Sequence, residues 1–130
     1  MTNKKINIAI VGFGNIGSYF YKSLYKSKKK ITTKTGSIPI IKYICAKNLN
    51  KKRKIKIPRS KWLKNPLELT TKNDVDVIVE LIGGSEGIAK KLIFSALKNS
   101  KHVITANKSL MAKHGDKLAL LAEKNKVNLE

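Results

Sequence analysis

A buried-strand pattern that runs directly into three closely spaced glycines constrains the fold of this chain more than any other feature. Residues 6–11 read Ile-Asn-Ile-Ala-Ile-Val, and Gly12-Phe-Gly14-Asn-Ile-Gly17 follows, with a helical pattern immediately after it. Gly12 permits a tight turn, Gly14 lets a pyrophosphate approach the backbone, and Gly17 lets the helix pack closely on the strand. Free N–H groups at the helix start would face the phosphates. The pattern favours, over a glycine-rich turn without a ligand, a dinucleotide site formed by Gly12, Phe13, Gly14, Asn15, Ile16 and Gly17.

Strand and helix patterns alternate along the rest of the chain. Strands are predicted over residues 38–46, 74–82 and 102–106, and helices over 15–27, 86–99 and 108–125. Residues 62–63 fit a short strand or a packed loop, 66–69 a helical turn, and 127–129 the start of a further strand. Apolar strands separated by helices predict the α/β class, with a doubly wound parallel sheet of the Rossmann type covered on both faces. We expect one dinucleotide-binding domain over residues 1–130.

Composition places the chain among ordinary globular proteins. It has 130 residues, 42% of them hydrophobic, and its single cysteine, Cys45, cannot form an internal disulfide. No apolar run approaches the ~20 residues that span a bilayer, and the first strand begins too early to leave room for a signal peptide. We expect a cytoplasmic protein with Cys45 as a small buried hydrophobe. Ile16, Phe20 and Leu24 of the first predicted helix and Ile88 of the second are expected to face the core.

The formal net charge of +20 raises the possibility of nucleic-acid binding, because Lys and Arg neutralise phosphates. Only Arg53 and Arg59 among the 28 basic residues are arginines, the side chains best suited to forked phosphate contacts. Lysines occur along the whole chain, and aromatic residues are sparse, with no evident stacking array. We therefore expect solvated surface lysines and neither a nucleic-acid nor a membrane partner.

Ligands of such sheets bind beyond the carboxyl ends of the strands, which selects the turns after Val11, Ala46, Leu81 and Ala106. The second predicted strand ends Cys45-Ala46-Lys47-Asn48, without the acidic residue that would accept hydrogen bonds from an NAD ribose. Lys47 could instead contact a 2′-phosphate. This favours NADP over NAD, while the alternative is that Lys47 is one more surface lysine. Further basic residues lie nearby in the sequence: Lys51, Lys52 and Arg53.

The turn after the 102–106 strand reads Thr105-Ala-Asn107-Lys108. Asn107 is a suitable helix N-cap. Lys108 would lie in the first helical turn, where a positive charge opposes the helix dipole, so either a functional role or a solvated side chain accounts for it. Together with Gly83 after the preceding strand, Thr105, Asn107 and Lys108 are candidate cofactor-binding residues.

Other polar residues carry weaker signals. Glu80, at the end of a strand, would either reach the cofactor side or hydrogen-bond to a loop. His102 and His114 have no Cys or acid arranged beside them as a metal partner, so structural roles are expected and no metal site is predicted.

Three segments resemble the N-terminal domain of homoserine dehydrogenase. They are Gly-Phe-Gly-Asn-Ile-Gly17, Val79-Glu-Leu-Ile-Gly-Gly84, and Lys101-His-Val-Ile-Thr-Ala-Asn-Lys-Ser-Leu110, the last continuing through Ala112-Lys-His-Gly115. The resemblance implies an NAD(P)-dependent oxidoreductase that interconverts aspartate 4-semialdehyde and homoserine, on the route to threonine and methionine. It also implies that the glycine loop holds the cofactor, that Lys47 lies by the adenosine ribose, and that Lys108 has a cofactor-binding or catalytic role.

Members of that family continue into a catalytic and dimerisation domain, whereas this sequence ends at Glu130. The resemblance therefore implies a fragment or a short natural protein that binds a dinucleotide, lacks turnover by itself, and forms a homodimer only with the second domain. Two other functions stay open from the residues alone. They are a basic nucleic-acid-binding protein and a nucleotide-sensing domain of the same fold without catalysis.

Overall fold

The computed structural model describes residues 3–49 and 53–130. Its elements follow the chain as β1 (Lys4–Val11), α1 (Asn15–Thr35), β2 (Ser37–Cys45), β3 (Trp62–Leu63), β4 (Val77–Glu80), α2 (Ile88–Lys98), β5 (His102–Thr105) and α3 (Lys108–Lys124), with 3-10 turns at Arg59–Lys61 and Pro66–Thr71. The strands of this described part pair in parallel in the order β3-β2-β1-β4-β5. The predicted doubly wound parallel sheet is confirmed.

The central strand, β1, is apolar on both faces, as a strand covered by helices on both sides must be. Ala9, Ile10 and Val11 are all buried. The chain runs from β1 to β2 on one side and later returns to place β4 on the other side of β1. Because the strand order reverses at this point, the connections after β1 and β4 diverge and leave a crevice at the carboxyl edge of the sheet.

Helix α1 is longer than predicted, because it runs through Thr35 instead of ending near residue 27. The threonines at its end lie within the helix, and their hydroxyl groups donate to carbonyl oxygens four residues earlier. The donor–acceptor distances are 2.8 Å from Thr32 to Lys28 and 2.9 Å from Thr33 to Lys29. The helix ends at Gly36, whose φ of 73° suits glycine and whose N–H donates to the carbonyl of Thr32.

The two faces of the sheet have separate apolar clusters. Helix α1 and the segment 53–61 cover one face, around Ile10, Phe13, Tyr21, Ile41 and Ile44. Helices α2 and α3 cover the other, and their buried side chains include Leu92, Ile93, Leu97, Leu110 and Leu118.

Two side chains predicted to face the core are exposed. Ile16 is 64% exposed and Ile88 is 44% exposed. Both lie in the first turn of a helix, at the carboxyl edge of the sheet, so they rise above the surface on which the later turns pack. Phe20 and Leu24 do pack against the α1-side cluster, as expected.

The remaining differences concern element ends. Strand β4 is confined to Val77–Glu80, shorter than the predicted 74–82. The predicted start of a further strand is present as a parallel bridge between Val103 and Leu129, with Thr105 N–H donating to Glu130 O at 2.7 Å. Among the described residues no helix has the length and apolar character needed to cross a membrane.

Candidate functional site

The glycine loop after β1 is shaped by two contacts that exclude side chains. Gly12 has φ of 98°, and a Cβ atom there would lie 2.9 Å from the backbone of Leu81. A Cβ at Gly17 would overlap the carbonyl oxygen of Gly12. The loop is also tied to the neighbouring strand, because Gly12 N–H donates to Cys45 O at 2.9 Å. These are the tight turn and the close helix packing that the spacing predicts.

Gly14 differs from its two neighbours in the motif because the space beside it is open. Apart from its two chain neighbours, no atom of the described residues lies within 4 Å of a Cβ built at Gly14. Its φ of −87° does not require glycine. Gly14 is the N-cap of α1 and has no side chain to cap the helix, so the N–H groups of the first turn are available to a ligand. This cradle fits an anionic group that approaches the backbone, such as a pyrophosphate.

A cleft of about 670 Å³ lies above this loop at the carboxyl edge of the sheet. Its floor is formed by the ends of β1 and β2, and one wall by the loop after β4. The residues that line it are Val11, Gly12, Phe13, Gly14, Cys45, Ala46, Lys47, Asn48, Arg53, Lys64, Pro66, Ile82, Gly83 and Ile88. A cleft of this size, apolar in part and placed at the reversal of strand order, is suited to a nucleotide cofactor.

The β2 end of the cleft is basic. Lys47, Arg53 and Lys64 line it. The guanidinium of Arg53 lies 4.7 Å from the centre of the Trp62 ring and 6.0 Å from that of Phe13. Its Nη2 also donates to the carbonyl oxygen of Asn48 at 2.7 Å, so Arg53 connects the segment after β2 with the glycine loop. The predicted neighbours Lys51 and Lys52 lie outside the described residues.

Glu80, at the end of β4, organises the opposite wall. Its buried carboxylate accepts from the backbone N–H groups of Ile82 at 2.8 Å and Gly83 at 2.9 Å, and from the hydroxyl of Thr105 at 2.5 Å. Of the two roles left open for Glu80, the hydrogen bond to a loop is the one present. The carboxylate therefore holds the turn after β4 against the end of β5.

Asn107 extends this network to the start of α3. Its side-chain oxygen accepts from the backbone N–H of Leu110 at 3.1 Å, which confirms the predicted N-cap. Its amide nitrogen donates to the carbonyl of Gly84 at 2.6 Å, and its own N–H donates to the Thr105 hydroxyl at 3.0 Å. The network fixes the backbone from which Lys108 projects, and Lys108 itself is exposed.

The structure brings only some of the predicted site residues to the cleft. Those that line it are Gly12, Phe13, Gly14, Lys47 and Gly83. The ring of Phe13 packs against Tyr21 and Trp62 and is buried. The other predicted residues lie around the cleft. Asn15 and Ile16 are exposed at the start of α1, and Gly17 is buried beneath the loop. Thr105 is the last residue of β5, and Asn107 and Lys108 follow that strand at the same edge.

Lys64 is a cleft residue that sequence reasoning missed. It directly follows β3, which pairs in parallel with β2 through Ile44–Trp62 and Cys45–Leu63. The rule that ligands bind beyond the carboxyl ends of parallel strands would have selected it. The sequence did not select Lys64 because residues 62–63 fitted a packed loop as well as a strand.

The remaining polar candidates have structural surroundings. His102 Nδ1 accepts from Asn128 N–H at 3.0 Å, and His114 lies 2.9 Å from Glu86. Hydrogen bonds from His114 and then Lys90 lower the pKa of the Glu86 carboxyl. The described part of the chain has no cluster of side chains able to hold a metal ion.

Cys45 is buried at the floor of the cleft, as predicted. Burial, with a smaller contribution from Glu68, raises the pKa of its thiol to about 12.

Comparison with known proteins agrees with this geometry. The family described as the NAD-binding domain of homoserine dehydrogenase matches residues 12–130. The chain belongs to this family. A homoserine dehydrogenase of Neisseria gonorrhoeae is 39% identical over 124 residues, which is 95% of this chain and 28% of that protein. The crystal structure of S. aureus homoserine dehydrogenase at pH 8.5 has a TM-score of 0.90 at 37% identity, covering 98% of this chain and 32% of that one.

The homoserine dehydrogenase fold also extends to more distant relatives. A hyperthermophilic archaeal homoserine dehydrogenase in complex with NADPH has a TM-score of 0.73 at 19% identity, over 96% of this chain and 43% of that one, a likeness that shows the fold alone.

The chain spans less than a third of the length of the N. gonorrhoeae relative and of the S. aureus structure. The rest of those enzymes has no counterpart in these 130 residues. The family match favours an oxidoreductase domain with a nicotinamide dinucleotide as cofactor. It does not favour the two alternatives, a nucleic-acid-binding protein and a nucleotide-sensing domain.

Proposed function

We propose that this chain supplies the cofactor-binding half of a homoserine dehydrogenase, which interconverts aspartate 4-semialdehyde and homoserine with NADPH preferred over NADH. The observation that carries the proposal is the cleft at the carboxyl edge of the sheet, where the glycine loop, the turn after β4 and three cations meet. The bound dinucleotide would supply the hydride that reduces the aldehyde carbon to an alcohol. The residues of this chain bind and orient it.

The glycine loop would bind the pyrophosphate. The open space beside Gly14 admits it, and the uncapped N–H groups at the start of α1 offer donors and the positive end of the helix dipole. Asn15, Ile16 and Gly17 would contribute these N–H groups, and Gly12 and Phe13 would contact the cofactor through their backbone.

The preference for NADPH follows from the β2 end of the cleft. No acidic residue follows β2 to accept hydrogen bonds from a ribose, and Lys47, Arg53 and Lys64 line the cleft there. Cations at this position neutralise a 2′-phosphate.

The test is calorimetric titration of the chain with NADPH and NADH, for the wild type and for Lys47→Glu. The substitution should weaken NADPH binding about tenfold or more, because a charge-assisted contact is replaced by repulsion. NADH binding should change much less, since the new carboxylate can accept from the ribose. The matched control is Lys117→Glu, an exposed lysine of α3 with the same change in net charge.

Two outcomes separate the explanations of that experiment. If Lys117→Glu weakens NADPH as strongly as Lys47→Glu does, only the overall field of the protein attracts the cofactor. If Lys47→Glu weakens both cofactors equally, Lys47 does not recognise the 2′-phosphate.

Lys108 is the proposed catalytic residue of this half. It begins α3 at the edge where β4 and β5 end, on a backbone held by the Glu80, Thr105 and Asn107 network. A lysine at a helix N-terminus is disfavoured by the dipole, so its position has no stabilising explanation. Its ammonium group would place positive charge beside the nicotinamide end of the cleft, which Gly83 borders.

The reaction should require a second domain that contributes the substrate-binding acids and the proton donor, and dimerisation is expected only with that domain. Residues 1–130 alone should therefore bind cofactor without oxidising homoserine. A fusion to the catalytic half of a homoserine dehydrogenase should be active, and Lys108→Ala in that fusion should reduce kcat sharply with little change in stability, since the side chain is exposed. Turnover by the 130 residues alone would contradict the requirement for two domains, and a fully active Lys108→Ala fusion would contradict the role of this lysine.

A further inference from the structure

The acidic residues of this chain are confined to its second half. Residues 1–67 contain eighteen of the 28 Lys and Arg residues and none of the eight Asp and Glu residues. Residues 68–130 contain ten basic and eight acidic residues and are nearly neutral. Lysines occur along the whole chain, so it is the position of the acids that makes the charge asymmetric. A charge asymmetry between halves is a mark of proteins that contact polyanions.

In the fold, the acid-free part of the sequence and the part that contains the acids contribute to different layers on the sheet. Helix α1 and the segment 53–61 pack on the same face of the sheet, and Lys61 of that segment lies 6.0 Å from the centre of the Tyr25 ring of α1. This α1 layer, formed by residues 15–35 and 53–61, contains no acidic residue. The opposite layer holds acids at its helices, among them Glu86, Asp116 and Glu123.

The exposed side of α1 arranges its cations in a row. Lys22, Lys26 and Lys29 are exposed at i, i+4 and i+7, so they follow one another along about 10 Å of helix. Lys30 and Lys34 extend the row on one side. No Asp or Glu of the helix pairs with them.

Two exposed aromatic side chains flank this row. Tyr19 is 74% exposed and Tyr25 is 53% exposed. At 100° per residue they project about 60° to either side of Lys22. Lysines between exposed aromatic rings form the combination by which proteins bind single-stranded nucleic acids, with cations on phosphates and rings on bases.

In contrast to the expectation of no nucleic-acid partner that was based on composition, we propose that the exposed face of the α1 layer binds single-stranded RNA without sequence preference, independently of the cofactor site. Five lysines and no arginine in this row provide point charges for phosphates and no forked donors to read bases. An anionic membrane fits the layer less well. The apolar side of α1, with Tyr21 and Leu24, already packs on the sheet and has nothing to insert among lipids.

The proposed surface extends away from the cofactor cleft. Lys29 follows the glycine loop by fifteen residues, which places it about 22 Å along the helix from Gly14. RNA and the dinucleotide should therefore bind at the same time.

The experiment measures binding of the whole chain to a fluorescent single-stranded RNA of about 20 nucleotides over a range of salt concentrations. The test variant carries Lys22→Gln, Lys26→Gln and Lys29→Gln, since glutamine keeps the helix propensity. The control variant carries Lys91→Gln, Lys113→Gln and Lys117→Gln, three exposed lysines of the α2–α3 layer. Both variants lose three charges, and circular dichroism verifies that both are folded.

The test variant should reduce the slope of log K against log salt by about 2, because each phosphate contact on a single strand contributes about 0.7. Its affinity at about 0.1 M salt should fall at least tenfold, whereas the control variant should keep the wild-type slope. Tyr19→Gln should weaken RNA binding about fivefold or more and duplex binding of equal length much less, because only unpaired bases stack on the ring.

Three results would overturn the proposal. The first is equal loss in both triple variants, which would mean that net charge alone attracts RNA. The second is no measurable RNA binding at about 0.15 M salt. The third is binding to vesicles of phosphatidylserine and phosphatidylcholine that the test variant loses while its RNA binding is unchanged, which would assign the layer to a membrane surface.

Discussion

Two glycines of the same loop should respond to substitution in opposite ways. Gly14→Val adds three carbon atoms at a φ of −87° that valine can adopt, where the described residues other than the chain neighbours place no atom within 4 Å of the Cβ. The free energy of unfolding without cofactor should change by about 1 kcal/mol or less, because the only cost is a poorer N-cap. The added carbons lie where the pyrophosphate would approach, so NADPH affinity should fall at least about tenfold.

Gly17→Ala should instead destabilise the fold. Its Cβ would overlap Gly12 O and lie 3.3 Å from the carbonyl carbon of the same residue. Gly12 cannot easily move, because its N–H is bonded to Cys45 O and its own Cβ position is closed by Leu81. Overpacking costs typically 1–3 kcal/mol, and backbone offers less relief than a side chain. Replacing a helical glycine recovers about 1 kcal/mol. A net loss of about 2 kcal/mol should lower the Tm by roughly 8 °C for a chain of this length.

The assay is thermal unfolding with and without NADPH, since a ligand at 100 times its Kd stabilises the folded state by about 2.7 kcal/mol. Gly14→Val should unfold within about 4 °C of the wild-type Tm without cofactor. With NADPH it should gain at most about half of the wild-type stabilisation, because a tenfold higher Kd reduces about 2.7 kcal/mol to about 1.4 kcal/mol. Gly17→Ala should unfold at a lower temperature under both conditions. The reasoning is refuted if a folded Gly14→Val chain keeps the wild-type shift with NADPH, or if Gly17→Ala unfolds at the wild-type Tm.

Three further expectations follow from the network around the cleft. Glu80→Gln should lower the free energy of unfolding by about 1–3 kcal/mol in urea titrations, because an amide N–H₂ would face one of three donors; an unchanged midpoint would contradict this. Asn107→Ala should cost about 1–2 kcal/mol by removing the α3 cap and the bond to Gly84. Asn107→Asp should keep the cap but replace the bond to Gly84 by repulsion between two acceptor oxygens. Cys45 should resist iodoacetamide at pH 8 until urea unfolds the chain, and rapid alkylation of the folded chain would show that the thiol is accessible. Because the folded pKa of about 12 exceeds the ordinary 9.0, the contribution of the buried thiol to the free energy of unfolding should be lost as the pH rises from 9 towards 12.

Much of the site was predictable because its signals are local. The glycine spacing after an apolar strand specified the loop, and the alternation of elements specified a parallel sheet, which places all the strand ends at one edge. The Asn107 cap could also be read from the sequence, since a cap depends on a residue and the next three positions. In each case the physical cause lies within a few residues of its effect.

Other features depended on contacts between distant segments. Arg53 and Lys64 join Lys47 at the cleft because the segment after β2 folds back on the glycine loop and β3 adds to the sheet edge. The carboxylate of Glu80 is buried because donors from both the 82–83 turn and β5 hydrogen-bond to it. Neither could be read from spacing along the chain.

The distribution of charge likewise depends in part on the sequence alone and in part on the tertiary structure. The sequence alone determined that residues 1–67 are basic and free of acids, because this is a matter of composition along the chain. Only the tertiary structure decided that α1 and the segment 53–61 share one face, where those cations add their fields, while the acids of the later helices lie across the sheet. The reason is that packing of apolar faces, and not charge, chooses which segments become neighbours.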